Sequence, residues 1–192
     1  MNKNINEKSK IIGKNRIYFN EINSTQLKAK EFAEKKVENG TLVITDNQTN
    51  GMGTHDRKWY TSKAKNLTFT LIVYPKCSIE KLNTLTIDIA KIITNAIYML
   101  YNYKLEIKKP NDIVYNGKKM GGILTQITSN GNRIKYLLIG IGFNINQIEF
   151  NEELKYIATS MKKEFKKEFS REKILNEILY EFEKYALEKG II

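Results

Sequence analysis

The chain has 192 residues, 41% of them hydrophobic, which is enough for one compact domain with a core. Its single cysteine and single histidine exclude an internal disulfide and argue against a zinc site built from those two residue types. The net charge of +11 would suit a nucleic acid, an anionic small molecule or an acidic protein, but the lysines are scattered, which favours biased composition over a dedicated nucleic-acid surface.

No signal peptide opens the chain, and no stretch approaches the roughly 20 apolar residues that span a bilayer. We therefore expect a cytoplasmic protein. Neither a linker nor an internal repeat is visible, so residues 1–192 are expected to form a single domain with residues 1–12 flexible.

Hydrophobic periodicity predicts helices and strands along the chain. Helices are expected at 25–39, from a Ser78 cap to Leu100, and after a Ser170 cap. Strands are expected at 42–45, 66–74, 105–109, 113–115, 120–127 and 134–145. Asn116-Gly117 is typical of a two-residue hairpin turn. Hairpin-joined strands mixed with helices favour an α+β fold, with a mostly antiparallel sheet packed against helices.

The segment 46–59 is the first candidate for chemistry. Gly51 and Gly53 allow backbone N–H groups to approach an anion, and Arg57 adds positive charge beside the aromatic Trp59. The alternative is an ordinary surface loop. The P-loop and dinucleotide-binding motifs are both absent.

A lysine in the predicted strand 105–109 is the second candidate. Alternation places Glu106 and Lys108 opposite Leu105 and Ile107. On an open sheet face, Lys108 could neutralise a phosphate during transfer. From the spacing alone, a solvated lysine followed by a turn at 110–112 is the favoured interpretation.

The third candidate is a strand with one bare face. In 139–146 the isoleucines and Phe143 alternate with Gly140, Gly142, Asn144 and Asn146. Such a face can support a flat ligand or accept close packing, and the sequence leaves both open. The pair Gly121-Gly122 offers a similar patch.

The segment 23–26 is the fourth candidate. Asn23 or Ser24 could cap a helix, with Gln26 completing a capping box. The same groups at a helix N-terminus could instead hold a polar ligand.

Together these segments resemble, in order, the motifs of the catalytic domain of biotin–protein ligases. The matching stretches are Ser24-Thr25-Gln26, the loop 48–59, Lys108-Lys109-Pro110-Asn111-Asp112, the hairpin 117–124 and the strand 139–144, followed by Ala158-Thr159-Ser160. The resemblance implies a fold like class II aminoacyl-tRNA synthetases and an ATP-dependent enzyme that forms biotinyl-5'-AMP and transfers biotin to a lysine of a carrier protein.

The resemblance also implies roles for individual residues. Lys108 and Arg57 are the expected catalytic residues, with Lys108 near the biotin carboxylate and the α-phosphate of ATP. The expected substrate-binding residues are Ser24, Thr25, Gln26, Gln48, Gly51, Met52, Gly53, Thr54, Trp59, Asn111, Gly122, Gly140, Gly142 and Asn144. No residue is expected to bind a metal directly, while Mg²⁺ neutralises the phosphates of ATP.

Three departures from the family pattern stand out. Met52 and Thr54 replace two loop arginines, which removes bidentate anion contacts and could let the adenylate leak. Lys109 replaces a tryptophan, which we expect to thin the wall beside the ligand. The expected architecture is the catalytic domain without an N-terminal DNA-binding domain or a C-terminal SH3-like domain.

The expected partners are biotin, ATP and the biotin carrier domain of a carboxylase, with no DNA and no membrane, and a monomer or weak homodimer is expected. A lipoate–protein ligase or octanoyltransferase is the nearest alternative function. A degenerate, non-catalytic biotin-binding module and a basic RNA-binding domain are further alternatives.

Overall fold

The structure is a computed structural model that describes residues 8–131 and 133–192. Its main sheet contains β1 Arg16–Phe19, β2 Thr41–Thr45, β5 Leu67–Val73, β6 Glu106–Lys108, β7 Asp112–Tyr115, β8 Lys118–Asn130 and β9 Arg133–Phe143. Two short strands, β3 Gly51–Met52 and β4 Lys58–Trp59, form a separate hairpin. The helices are α1 Thr25–Glu34, α2 Leu85–Tyr101, α3 Met161–Phe165 and α4 Arg171–Glu188.

The strands of the main sheet lie in the spatial order β1-β2-β5-β9-β8-β7-β6. The pair β1–β2 is parallel, and the other neighbours in this sheet are antiparallel. The predicted turn is confirmed: Asn116 and Gly117 have φ of 49° and 74°, as a type I′ turn between paired Tyr115 and Lys118 requires. The α+β, mostly antiparallel fold is therefore confirmed.

One face of the sheet carries the main hydrophobic core. Phe69 of β5, Ile139 of β9 and Ile123 of β8 point to this face, where α2 and α4 cover them. Ile93 of α2 and Ile178 of α4 are buried there because each helix repeats its apolar residues every three or four positions.

Helix α1 lies on the opposite face. Its Ala29 and Ala33 pack against Val43, Ile72 and Leu138. The expectation that the helix continues to residue 39 is wrong, because its chain turns at Lys36, where φ is 56°. The small residues let α1 lie close to the sheet, and this closeness positions the N-terminus of the helix over β5.

The predicted Ser78 cap is also wrong. Residues Ile79–Leu82 form a 3-10 turn, and α2 begins only at Leu85. Ser170 does cap α4, because its hydroxyl accepts a hydrogen bond from the Lys173 N–H at 3.2 Å.

The N-terminal segment is attached to α4 by one buried carboxylate. Glu183 accepts hydrogen bonds from the Ser9 hydroxyl at 2.6 Å and from the backbone N–H groups of Lys10, Ile11 and Ile12. Because Ile12 is also fully buried, the expected flexibility of residues 1–12 is wrong for residues 8–12. Residues 1–7 lie outside the described residues.

Burial alone would raise the pKa of Glu183, but these hydrogen bonds outweigh it and hold the pKa below its ordinary value. The carboxylate therefore stays ionised at neutral pH.

In the described part of the chain, no helix combines the length and apolar composition needed to cross a bilayer.

Candidate functional site

A cavity of about 190 Å³ opens on the α1 face of the sheet, over β5, β9 and β8. The N-terminus of α1 and the β3–β4 hairpin form its other walls. It brings together most of the predicted substrate-binding residues, namely Ser24, Thr25, Gln26, Gln48, Met52, Gly53, Thr54, Trp59, Asn111, Gly122, Gly140, Gly142 and Asn144. Arg57, one of the two predicted catalytic residues, lies there as well.

A hydrogen-bonded network covers the α1 end of this cavity. The Gln48 side-chain oxygen accepts from the Thr25 N–H at 2.7 Å and lies 3.0 Å from the Thr25 hydroxyl. The Thr70 hydroxyl lies 3.0 Å from both Thr25 Oγ1 and Gln26 Oε1, and Gln26 Nε2 donates to Gln126. The predicted capping box is therefore wrong, because Gln26 turns onto the sheet instead of back to Asn23.

Two buried polar atoms on the cavity side have no hydrogen-bond partner among the described residues. They are the hydroxyl oxygen of Ser24, which is completely buried, and the indole Nε1 of Trp59. Ser24 is the N-cap residue of α1, but its side chain makes no cap bond. Leaving a buried donor or acceptor unpaired costs about 1–3 kcal/mol. Both atoms therefore have hydrogen-bonding capacity that a ligand or a water molecule in the cavity could use.

The bare face of β9 is occupied by protein side chains. A Cβ at Gly140 would lie 2.6 Å from Gln26 Oε1, and a Cβ at Gly142 would lie 2.2 Å from Trp59 Cε2. Close packing, one of the two interpretations left open by the sequence, is therefore observed, and support of a flat ligand stays a prediction. The glycines accept close packing, and the side chains that pack there line the cavity.

Positive charge dominates the mouth of the cavity. Arg57, Lys58 and Lys119 line it, while none of the lining side chains described is acidic. Lys119 Nζ lies 2.7 Å from Asp112 Oδ1 and 5.6 Å from the centre of the Trp59 ring. This arrangement suits an anionic ligand beside the Trp59 ring.

A family model for the biotin/lipoate A/B protein ligase family matches residues 18–144, the part of the chain that contains most of this cavity. The chain belongs to this family. It is 37% identical over 179 residues to the bifunctional ligase/repressor BirA of Bacillus spizizenii. This alignment covers 92% of this chain and 55% of the relative. The chain thus spans about half the length of the curated relatives it matches.

Solved structures agree with the family assignment. The biotin protein ligase of Aquifex aeolicus in complex with biotin and ATP has 27% identity and a TM-score of 0.79, covering 92% of this chain and 72% of that chain. The Leishmania major biotin protein ligase in complex with biotinyl-5-AMP also has 27% identity, with a TM-score of 0.75 and coverage of 91% and 75%. The predicted family and its fold are confirmed.

In this member of the family, Lys108 lies outside the cavity. It is exposed on the edge strand β6, two strands from β8, which places its backbone about 10 Å from that strand. The strand register nevertheless places Lys108 in one row with Asp112, Gly122 and Gly142, on the cavity face of the sheet, so its catalytic role stays a prediction. The alternation of strand 105–109 was predicted correctly, but the position of that strand in the sheet is not visible in the sequence.

Lys119 is the cationic residue that sequence reasoning missed. Simple alternation would place it on the same face as Ile123, towards the core. A bulge between β7 and β8, where Ile113 pairs with Gly121 but Val114 pairs with Lys119, inserts Met120 as an extra residue on the core side. The bulge turns Lys119 to the cavity face, which it shares with Gly122.

Several predicted residues have structural partners. The Asn144 amide donates to Thr159 O at 3.1 Å and its oxygen lies 3.3 Å from Asn66 Nδ2, while the Asn111 amide donates to Ile123 O. Gly51 does not line the cavity, because it packs within the β3–β4 hairpin, where a Cβ would lie 2.3 Å from Trp59 O.

The structure describes the surroundings of two departures from the family pattern. Lys109 is exposed and does not line the cavity, so this position contributes no side chain to the wall, and the expected thinning stays a prediction. Thr54 accepts a hydrogen bond from Arg57 Nη2 at 2.9 Å through its hydroxyl, and another from Arg57 Nε through its backbone oxygen. One arginine is thereby held over the turn that has lost the other two.

Proposed function

We propose that the protein is a biotin–protein ligase that forms biotinyl-5'-AMP from biotin and ATP and transfers the biotin to a lysine of a carrier protein. The observation that carries this proposal is a single cavity with two chemically different parts. The unpaired Ser24 hydroxyl and its neighbouring polar network lie at the α1 end, and the cations Lys119 and Arg57 lie towards the β3–β4 hairpin. Related proteins of this fold are named as complexes with biotin and ATP or with biotinyl-5-AMP.

In the proposed first step, a biotin carboxylate oxygen attacks the α-phosphorus of ATP. A phosphorus–oxygen bond forms, and the bond to the leaving pyrophosphate breaks. Lys119 Nζ is a fixed positive charge that stabilises the charge developing on the α-phosphate. The enzyme contributes mainly the positioning of two anions that would otherwise repel each other.

In the proposed second step, the amine of a carrier lysine attacks the carbonyl carbon of the mixed anhydride. An amide bond forms, AMP leaves, and the amine loses a proton to solvent. The carrier would be the biotin carrier domain of a carboxylase. We propose no role for DNA or a membrane, and a monomer or weak homodimer in the cytoplasm.

Mg²⁺ fits this proposal as part of the bound nucleotide. The lining side chains described offer amide oxygens, such as those of Asn111 and Gln147, and no carboxylate. Mg²⁺ commonly keeps several waters and binds chiefly to the phosphates of its nucleotide. It would neutralise those phosphates, while this chain's own residues position the two substrates.

We further infer that Arg57 contributes part of the anion binding lost with the two loop arginines. Its Nε and Nη2 bond to Thr54, so the guanidinium is held at the cavity with its remaining N–H groups available to a phosphate. Met52 would supply apolar contact beside the ligand. Adenylate retention is therefore expected to depend on Arg57 more strongly than in a loop with three arginines.

Titration calorimetry with biotin, and separately with lipoate, tests the choice of substrate. Biotin-dependent exchange between pyrophosphate and Mg-ATP then tests adenylate formation. Binding of biotin with exchange supports the ligase. Binding of biotin without exchange would identify a non-catalytic binding module, and binding of lipoate alone would identify a lipoate ligase or a related transferase.

A further inference from the structure

Residues 46–66, called the ligand loop below, connect β2 to β5 and contain the β3–β4 hairpin. The loop contributes a large share of the cavity lining, namely Gln48, Met52, Gly53, Thr54, Arg57, Lys58, Trp59 and Tyr60. Its own regular structure is limited to two-residue strands and a short 3-10 turn at 54–56. The loop is therefore ordered by tertiary contacts, such as the bonds of Gln48 to Thr25 and of the Asn50 N–H to Asn23 O, and by the contacts that fix its two ends.

Arg171 joins those two ends. It is the first residue of α4, more than 100 positions along the chain from the loop. Its Nη1 lies 2.8 Å from Asp46 Oδ1 and 3.1 Å from the backbone oxygen of Asn66. One nitrogen of a guanidinium thus bonds to the first and the last residue of the ligand loop.

Further hydrogen bonds fix the same point. The Tyr18 hydroxyl donates to Asp46 Oδ2 at 2.6 Å, and the Ala64 N–H donates to Asp46 O at 3.1 Å. The side chains of Arg171 and Asp46 are only 17% and 15% exposed, so solvent and salt screen this ion pair weakly.

The charges of this group support its role. Burial alone would raise the pKa of Asp46, but the hydrogen bonds from Tyr18 and Arg171 outweigh it and hold the pKa below its ordinary value. The hydrogen bond to Asp46 raises the pKa of Tyr18 to about 12. The Asp46 carboxylate is thus charged and the Tyr18 hydroxyl protonated at neutral pH, as the observed bonds require.

We propose that Arg171 is a positioning residue for the ligand loop: by bonding to Asp46 and to Asn66 O, it fixes the base of the loop and so raises affinity for both substrates. The proposal rests on the proposed function. Arg171 does not line the cavity and would not touch either substrate. A loop whose ends are fixed loses less conformational entropy when it closes over a ligand, and this saving appears as affinity.

Arg171→Gln tests the proposal. Lys119, the group proposed to stabilise the transferred charge, lies on the sheet and remains in place, while the loop residues, including Arg57, contribute substrate binding. The loss is therefore expected in binding common to ground and transition states, which raises KM and leaves kcat unchanged. We expect KM for biotin and for ATP to rise about tenfold while kcat changes less than about threefold, since about tenfold corresponds to one lost charge-assisted hydrogen bond.

Matched variants separate positioning from general destabilisation. Arg171→Lys keeps the charge and should recover part of the lost affinity. Arg133→Gln removes an exposed arginine at the far end of the β8–β9 hairpin and should leave both KM values unchanged. Asp46→Asn should reproduce the effect of Arg171→Gln, and the double variant should be no worse than either single variant.

Hydrogen exchange of the ligand loop provides a readout that needs no activity. Amides of residues 48–60 should exchange faster in Arg171→Gln than in the wild type, while amides of β9 remain protected. If the wild-type protein showed no biotin-dependent exchange of pyrophosphate, the proposed function would be wrong, but hydrogen exchange would still test the positioning role of Arg171. KM values within twofold of the wild type, or equal protection of the loop, in both Arg171→Gln and Asp46→Asn would overturn the positioning role.

Discussion

The sheet buries side chains on both faces, but β5 shows that the buried side chains on the two faces are stabilised in different ways. Leu67, Phe69 and Leu71 point to the α2 and α4 side, where they are satisfied by packing alone. Thr68 and Thr70 point to the cavity, and they are equally buried. On that side burial depends on hydrogen bonds, and some of these are incomplete.

Two buried polar groups make the same contrast. Glu183, on the core side, receives donors from four neighbouring residues. The Ser24 hydroxyl, on the cavity side, has no partner among the described residues. Unpaired buried polar groups are rare in folded proteins, and they occur mostly where the group has a functional role. The Ser24 hydroxyl thus keeps hydrogen-bonding capacity on the cavity face, and we expect substitutions on the two faces to have different effects.

The largest expected effect is that of Lys119→Ala on the cavity face. Loss of the fixed charge should lower the rate of biotin-dependent adenylate formation by about a thousandfold, or about 4 kcal/mol of transition-state stabilisation. Since Lys119→Ala leaves no cavity in the core but removes the partner of Asp112, the melting temperature should fall by only a few degrees. Pyrophosphate exchange and thermal unfolding measure the two quantities.

Lys108→Ala is the companion variant, because Lys108 shares the cavity face with Asp112 and is the lysine that the sequence predicts to be catalytic. Its loss should also lower the exchange rate strongly while the fold stays intact. Lys135→Ala, at an exposed lysine that does not line the cavity, is the control and should change the rate by less than about threefold. Full exchange in both Lys108→Ala and Lys119→Ala would mean that the site is not assembled as described.

Lys119 and Lys108 also show how much of the site can be predicted from the sequence. Alternation in β5 and the turn at Asn116-Gly117 were predicted correctly, because each depends only on neighbouring residues. The bulge at Met120 and the place of β6 at the sheet edge depend on strand pairing, which the sequence does not display. The sequence therefore predicted the neighbourhood of the site but did not show that Lys119 lies on the cavity face.

The same limit applies to the segment 23–26. Its residue types fit a capping box, and they also fit a ligand site. The choice is made by Thr70 and Gln48, which bond to Thr25 and Gln26 across the sheet. The role of Arg171 had no local signal at all, because its partners lie at the two ends of a loop more than 100 residues earlier.

On the core face, Ile93→Ala should lower the free energy of unfolding. Ile93 is fully buried between α2 and the sheet, so its truncation should cost about 3 kcal/mol through lost transfer energy and a residual cavity. Denaturant unfolding measures this loss, and the activity of the remaining folded protein should be unchanged. Met99→Ala, on the same helix but 72% exposed, should cost less than about 0.5 kcal/mol.

Glu183→Gln tests the satisfied buried group. An amide cannot accept all the donors that meet the carboxylate, so we expect a loss of about 1–3 kcal/mol. The folded-state pKa of Glu183 lies below its ordinary value. Its contribution is therefore complete above the ordinary pKa and is lost as the pH falls through the folded-state pKa.

The wild type should accordingly lose stability on acidification more steeply than Glu183→Gln, and the two unfolding free energies should converge at low pH. Urea unfolding between neutral and acidic pH measures this difference. A constant gap between the two curves at every pH would show that the carboxylate contributes by shape instead of charge.

The smallest expected effect is the sharpest test of the contrast, because its two parts have opposite signs. Ser24→Ala removes a hydroxyl that has no partner among the described residues, so the free energy of unfolding should stay the same or rise slightly. Biotin affinity, measured by titration calorimetry, should fall about tenfold, because the ligand loses the hydrogen bond that the hydroxyl was free to make. Thr45→Val, at a buried hydroxyl that bonds within the protein to Asn47 O, should lose stability and keep biotin affinity. If Ser24→Ala instead destabilised the fold and left affinity intact, the unpaired hydroxyl would belong to the structure, and the cavity face would differ from the core only in polarity.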